Sequence, residues 1–281
     1  MKDSENFWQN LLMSEGREIY EITKNRDCLC FFVNTQENTE DQEKQALKDG
    51  QNLVSVFQRL GFDVVLYQGP LTYQEAKKGI RKKLENGRQK TKDIFAISLS
   101  CFGGTDDLIA FADRTVHIDD LLSDVLANED LNDKPILIFV HICRWENDLD
   151  SQADMHNKYK DIFSKRQVRP NWLEFWTVGP YSDLFRQYNQ PCPYITSIQT
   201  IMSPYGRKLN LLETLAVVID NMAQTPALDL VNTDMGKVNL KNFVHLVHDL
   251  RKELRFYHVD EGNVHILIAA LLCSENLCIL K

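Results

Sequence analysis

Four runs of branched and aromatic apolar residues, at 28–33, 62–67, 94–99 and 136–143, alternate with stretches of helical period at 41–60, 72–86 and 117–127, and a fifth run follows at 172–178. This is a β-α-β-α rhythm. The runs are nearly continuous in Val, Ile, Leu, Phe and Cys rather than alternating with polar residues, so both faces of each strand must be covered. The expected architecture is an α/β fold with helices on both sides of a mostly parallel sheet. The helical period is clearest before the second run, where Leu53, Val54, Phe57 and Leu60 fall on one face and Gly61 ends the helix. In open parallel sheets the ligand crevice lies outside the carboxyl ends of the strands, where the strand order reverses. Cys101 follows the third run and Cys143 ends the fourth. By position alone each reads as a small buried hydrophobe, as most free cysteines are, or as a thiol placed for chemistry.

Composition removes several classes of function. A formal charge of −8 and a pI near 5.4 leave no basic field to neutralise a phosphate backbone or dock on anionic lipid. Nucleic acid and membrane surfaces are therefore not expected partners. The opening MKDSENFWQNLLM is acidic where an export signal would be basic and then apolar. The apolar runs at 135–143 and 264–273 reach only about half of the ~20 residues a bilayer requires. Seven cysteines, an odd number without the spacing of a small disulfide scaffold, point to reduced thiols in the cytoplasm. They match no zinc signature either, so neither metal nor cofactor is expected.

Several segments together resemble the caspase family, the cysteine peptidases that cleave after aspartate. PILIFVHICRW is similar to the nucleophile strand, in which an apolar run led by Lys-Pro closes on Gln-Ala-Cys-Arg-Gly; here Lys134 and Pro135 open it and Cys143 and Arg144 close it. IFAISLSCFGG resembles the strand that ends in Leu-Ser-His-Gly. YEITKNRDCLCFFVN resembles the first strand and its approach, DGQNLVSVFQRLGFDVVLYQGPLTYQEA the helix and second strand, and LRKELRFYH the closing strand. The resemblance implies a caspase-like three-layer α/β/α sandwich. It also implies a division into a short N-terminal segment at 1–19, a large-subunit-like part at 20–144, a polar linker at 145–170, a small-subunit-like part at 171–260 and an extension at 261–281. The segment before Tyr20 is too short for a helical adaptor domain of ~80 residues, so recruitment through one is not expected.

The same resemblance implies that the protease machinery is broken. Leu99 and Ser100 match, but Cys101 stands where the general-base histidine belongs. A thiol neither accepts the nucleophile's proton at neutral pH nor returns one to a leaving amine. Cys143 is then a vestigial nucleophile. Phe102 occupies the position of an oxyanion-hole glycine and Trp145 that of the glycine after the nucleophile, so bulk is expected at the crevice mouth. Of the residues that hold a substrate aspartate in the family, Arg186 matches one arginine, His141 replaces a glutamine, and the second arginine falls near Glu43 and Lys44.

His141 lies two residues before Cys143 on one strand and so shares its face. It reads as a packed or hydrogen-bonded histidine, or as the base of a new dyad. His117, at the start of a helix, reads as exposed. Cys101 and Cys143 are candidates for a bridge, or for a metal site with His141. Asp148, Asp150 and Asp154 are processing sites or ordinary loop aspartates. The function implied is a catalytically inactive caspase homologue that regulates by pairing with an active caspase, or with itself, through a sheet edge formed at 239–257. The alternatives are an altered cysteine endopeptidase using Cys143 and a thiol redox sensor using Cys101 and Cys143. The run at 264–273 is open to a strand or a helix.

Overall fold

A computed structural model describes residues 18–23, 25–33, 40–103, 108–144, 169–179, 192–224, 231–233, 236–238 and 243–256. The five apolar runs form β1 (Arg26–Val33), β2 (Asp63–Gly69), β3 (Ile94–Gly103), β6 (Ile136–Arg144) and β7 (Trp172–Gly179), which are parallel to one another. β10 (Phe243–His248) adds an antiparallel edge to β7. The order is β10-β7-β6-β3-β1-β2, and two short strands, β4 (Leu108–Ala110) and β5 (Thr115–His117), continue from β3. A separate hairpin pairs β8 (Val231–Thr233) with β9 (Gly236–Val238).

Successive strand residues face opposite layers, and the core divides accordingly. On one face Cys28, Cys30, Phe139 and Phe175 meet α1 (Glu40–Arg59), α4 (Pro193–Tyr205) and α5 (Leu211–Gln224), through residues such as Leu53, Phe57, Ile198 and Leu215. On the other, Leu29, Phe31, Ile97 and Val140 meet α2 (Tyr73–Leu84) and α3 (Ile118–Leu126), through Ala76, Ile80, Leu121 and Leu122. This is the three-layer α/β/α sandwich expected, and it explains the unbroken apolar runs: every residue of β1, β3 and β7 is buried. Aromatic edge contacts join Phe139 on β6 to Phe57 on α1 and to Phe175 on β7.

Local signals set the boundaries. Gly61 takes φ +86, and a Cβ there would stand 3.1 Å from the Arg26 guanidinium, so position 61 needs glycine for both its turn and its neighbour. Thr72 and Glu75 close a capping box at the start of α2. Arg26 itself is buried; its guanidinium donates to the carbonyls of Leu60 and Phe256 and lies over the Phe256 ring. Tyr20 Oη donates to Asn171 Oδ1 at 2.6 Å and accepts from Arg251 N at 3.1 Å, so both flanking segments are fastened to the start of β7.

Two expectations change. LRKELRFYH is not the closing strand: the pairing partner of β7 is β10, and residues 250–256 make only an isolated bridge from Glu253 to Ile19. The Pro-free, β-branched and aromatic segment FVHLVH at 243–248 carries the strand instead. Secondly, the strand order reverses between β1 and β3, so the end of β6 lies one strand away from the reversal. Linker residues 145–168 and residues 257–281, the extension at 261–281 among them, lie outside the described residues.

Candidate functional site

The third apolar run does not stop before Cys101. β3 continues to Gly103 because β4 pairs with it, Phe102 opposite Ala110 and Gly103 opposite Ile109. Cys101 is therefore inside the strand, and its side chain obeys the alternation. In the parallel register Cys101 lies opposite Ile142 and Phe102 opposite Cys143. Residues opposite one another share a face. Cys101 packs with Leu99, Ile109, Val140 and Ile142 toward α2 and α3, whereas Cys143 packs with Phe102 and Ala110 on the other side of the sheet. The two thiols expected to adjoin are separated by the sheet itself, and the bridge or shared metal site drawn between them has no geometry to support it.

Cys101 is 2% exposed, and burial pushes its thiol well above the ordinary range. It is protonated at neutral pH and behaves as a small hydrophobe.

On the Cys143 face the residues are polar and interlocked. His141 and Cys143 stand side by side on β6, with Cys143 Sγ 3.4 Å from His141 Nε2. His141 Nδ1 lies 2.8 Å from Thr177 Oγ1 on β7, and Thr177 Oγ1 donates to Val140 O at 3.4 Å. With the hydroxyl proton on that carbonyl, the hydroxyl oxygen accepts from Nδ1–H, and the Nε2 lone pair of that tautomer is directed at sulfur. A second thiol reaches the same nitrogen: Cys192 Sγ is 3.2 Å from Nε2. Tyr194 closes the ring from above, its centroid 4.6 Å from that of His141 and its plane 9° from parallel. His141 is thus 2% exposed and Cys143 7%.

Cys192 and Tyr194 come from the start of α4. Pro193 opens the helix with a fixed φ and no amide proton to satisfy, which makes Cys192 the N-cap. Burial, reinforced by Cys143 and Asp49, raises the Cys192 thiol, while the Tyr194 and Ile195 amides at the helix start pull in the opposite direction. Cys192 is nonetheless only half-buried, whereas Cys143 is buried. Sequence reasoning passed over Cys192, Thr177 and Tyr194. The Cys-Pro pair at a helix start was a readable signal for the first; nothing in the spacing announced the other two.

Phe102 is 4% exposed and packs with Ala110 against Cys143. His117 is exposed at the start of α3, and Lys44 is exposed on α1. Arg186 and Trp145 lie outside the described residues, as does the Glu43 side chain. Among the described residues no group of three His, Cys, Asp or Glu is arranged to hold a metal ion, and no helix is long and apolar enough to cross a membrane.

A family model described as the Caspase domain matches residues 27–242, most of the chain and both sides of this site. The chain belongs to the caspase family. Its fold is similar to the crystal structure of caspase-1 from Spodoptera frugiperda, with a TM-score of 0.66 over 89% of this chain and 97% of that chain, at 17% sequence identity. That likeness extends the caspase assignment to the architecture, the α/β sandwich with its mostly parallel sheet. The chemistry rests on the residues themselves.

Proposed function

We propose that this chain is a catalytically inactive caspase homologue that regulates caspase signalling in the cytoplasm by pairing with an active caspase or with itself. The observation that carries the reading is the parity of β3: the residue in the general-base position, Cys101, is a buried thiol facing the layer opposite Cys143. A well-placed general base contributes about 10²–10⁴ in rate, and an oxyanion-hole donor about 10²–10³. Cys101 supplies no base, and Phe102 fills the space beside Cys143 where a substrate carbonyl would enter.

Binding has a physical route. β10 is last in the strand order and half-buried, and such an edge is a template for strand pairing with a second chain around a two-fold axis. The test joins turnover to association. Purified protein is expected to leave aspartyl peptides uncut, to associate with an active caspase at micromolar concentration or below, and to change that partner's turnover. Efficient hydrolysis abolished by Cys143→Ala, or no association at micromolar concentration, overturns the proposal.

One observation favours a second reading, an altered cysteine peptidase: the Nε2 lone pair of His141 lies within hydrogen-bond reach of Cys143 Sγ. An irreversible thiol-directed peptide inhibitor separates the two. Rapid stoichiometric labelling of Cys143 supports the enzyme; labelling no faster than that of an ordinary buried thiol supports the binding protein.

A further inference from the structure

One imidazole nitrogen serving two thiols is an arrangement that neither a binding surface nor a lost peptidase requires. We propose that Cys192 and Cys143 form a peroxide-sensitive dithiol, with His141 as their shared proton carrier. Three features support it. Cys192 Sγ and Cys143 Sγ both lie within reach of His141 Nε2, at 3.2 and 3.4 Å, so the sulfurs are no further apart than those two distances laid end to end. Thr177 Oγ1 lies 2.8 Å from Nδ1, and with its proton on Val140 O it pairs with the tautomer whose Nε2 accepts a proton. Access differs between the thiols: Cys192 is half-buried at the helix start, while Cys143 is 7% exposed beneath it. An oxidant from solvent meets Cys192 first.

The chemistry balances with hydrogen peroxide as the oxidant. His141 Nε2 takes the Cys192 proton, and the thiolate attacks one peroxide oxygen; the S–O bond forms and the O–O bond breaks. The hydroxide released takes the imidazolium proton and leaves as water. Cys143 then gives its proton to Nε2 and attacks the sulfenic sulfur of Cys192. The S–S bond forms, the S–O bond breaks, and the second hydroxide takes the proton to become water. Two thiols lose two electrons, and one peroxide becomes two waters. The bond fastens the start of α4 to the end of β6.

Another pair in the molecule shows that proximity alone is not enough. Cys28 and Cys30 have their sulfurs 3.8 Å apart on β1. Both are 0% exposed. Burial raises the Cys28 thiol as it raises that of Cys192, so what separates the two pairs is oxidant access and the His141 imidazole within reach of Cys192 and Cys143.

The experiment is peptide mapping of the full chain after brief exposure to hydrogen peroxide, digested without reduction. The expected product is one linked peptide joining Cys143 to Cys192, two mass units lighter than its reduced parts and absent after reductant. In Cys143→Ser the resolving thiol is missing, so dimedone is expected to trap sulfenic acid on Cys192; in Cys192→Ser, oxidation of Cys143 is expected to slow about tenfold or more, as follows from its poorer exposure. The wild-type map decides the matter even where a variant folds poorly. A cross-link at Cys28–Cys30 instead, or over-oxidation of Cys143 without a link, overturns the proposal. Neither result bears on whether the chain pairs with an active caspase, which is read from association alone.

Discussion

Cys101 and Cys143 lie at the ends of adjacent strands, one residue out of register, and inhabit opposite environments. Toward α2 and α3 the end of the sheet is hydrocarbon: Leu99, Ile109, Val140 and Ile142 enclose a protonated thiol. Toward α4 the same strands present His141, Thr177, two thiols and the Tyr194 ring in one hydrogen-bonded cluster. A single step along a strand moves a side chain from one to the other. The difference teaches that matching a family motif residue by residue does not fix what a side chain faces; strand length does. Two more residues of β3, held by β4, are enough to take position 101 out of the crevice.

The strongest attempt to break this contrast is to restore the missing histidine. If position 101 opened on the Cys143 face, Cys101→His would create a dyad and raise peptide hydrolysis. Here the imidazole would enter a packed aliphatic cluster, where overpacking and an unsatisfied polar ring together cost about 2–5 kcal/mol. The expected outcome is a lower denaturant midpoint and no gain in turnover. A variant that cleaves aspartyl peptides at wild-type stability would show that β3 frays before Cys101.

Alkaline titration sharpens the same contrast at a smaller scale. An unfolded cysteine ionises near pH ~8.5, while burial holds the folded Cys101 thiol protonated far above that. The raised folded pKa means that the native chain binds the proton more tightly than the unfolded one. Its contribution to stability is complete below about pH 8.5 and is lost as pH climbs toward the folded pKa, at roughly 1.4 kcal/mol per pH unit. Denaturant melts at pH 8.5 and 10, under reductant, are therefore expected to fall more steeply for wild type than for Cys101→Ala. Parallel slopes would mean that Cys101 meets water in the native state.

The five parallel strands and three of the helices were legible in the sequence because their signals are local. Apolar runs continuous in Val, Ile and Phe mark doubly covered strands, and Leu53, Phe57 and Leu60 mark one helix face. The closing strand was misplaced by several residues: the motif at 250–258 was more conspicuous than the short segment FVHLVH at 243–248 that pairs with β7. The candidate site was half legible. His141 and Cys143 follow from period two on one strand, but Cys192 and Tyr194 arrive from a helix about fifty residues later in the chain. Only the packing of α4 over β6 reveals that they share a nitrogen. Strand alternation did hold the answer for Cys101, once the end of β3 was known.

The smallest perturbation addresses what keeps the polar face ordered. Thr177→Val conserves shape but deletes the oxygen that receives His141 Nδ1–H. Loss of one buried hydrogen bond, with its partner left unsatisfied, costs about 1–3 kcal/mol. The more telling readout is chemical. With Nδ1–H unpaired, the imidazole is free to move its proton to Nε2, where it would donate to sulfur instead of accepting from it. Iodoacetamide should then modify Cys192 more slowly than in wild type, while Cys101, enclosed by Leu99, Ile109, Val140 and Ile142, reacts at its wild-type rate relative to global unfolding. Unchanged labelling of Cys192 in a folded Thr177→Val protein would mean that the ring keeps its tautomer without the hydroxyl, and that the Tyr194 stack and the two thiols suffice to hold it.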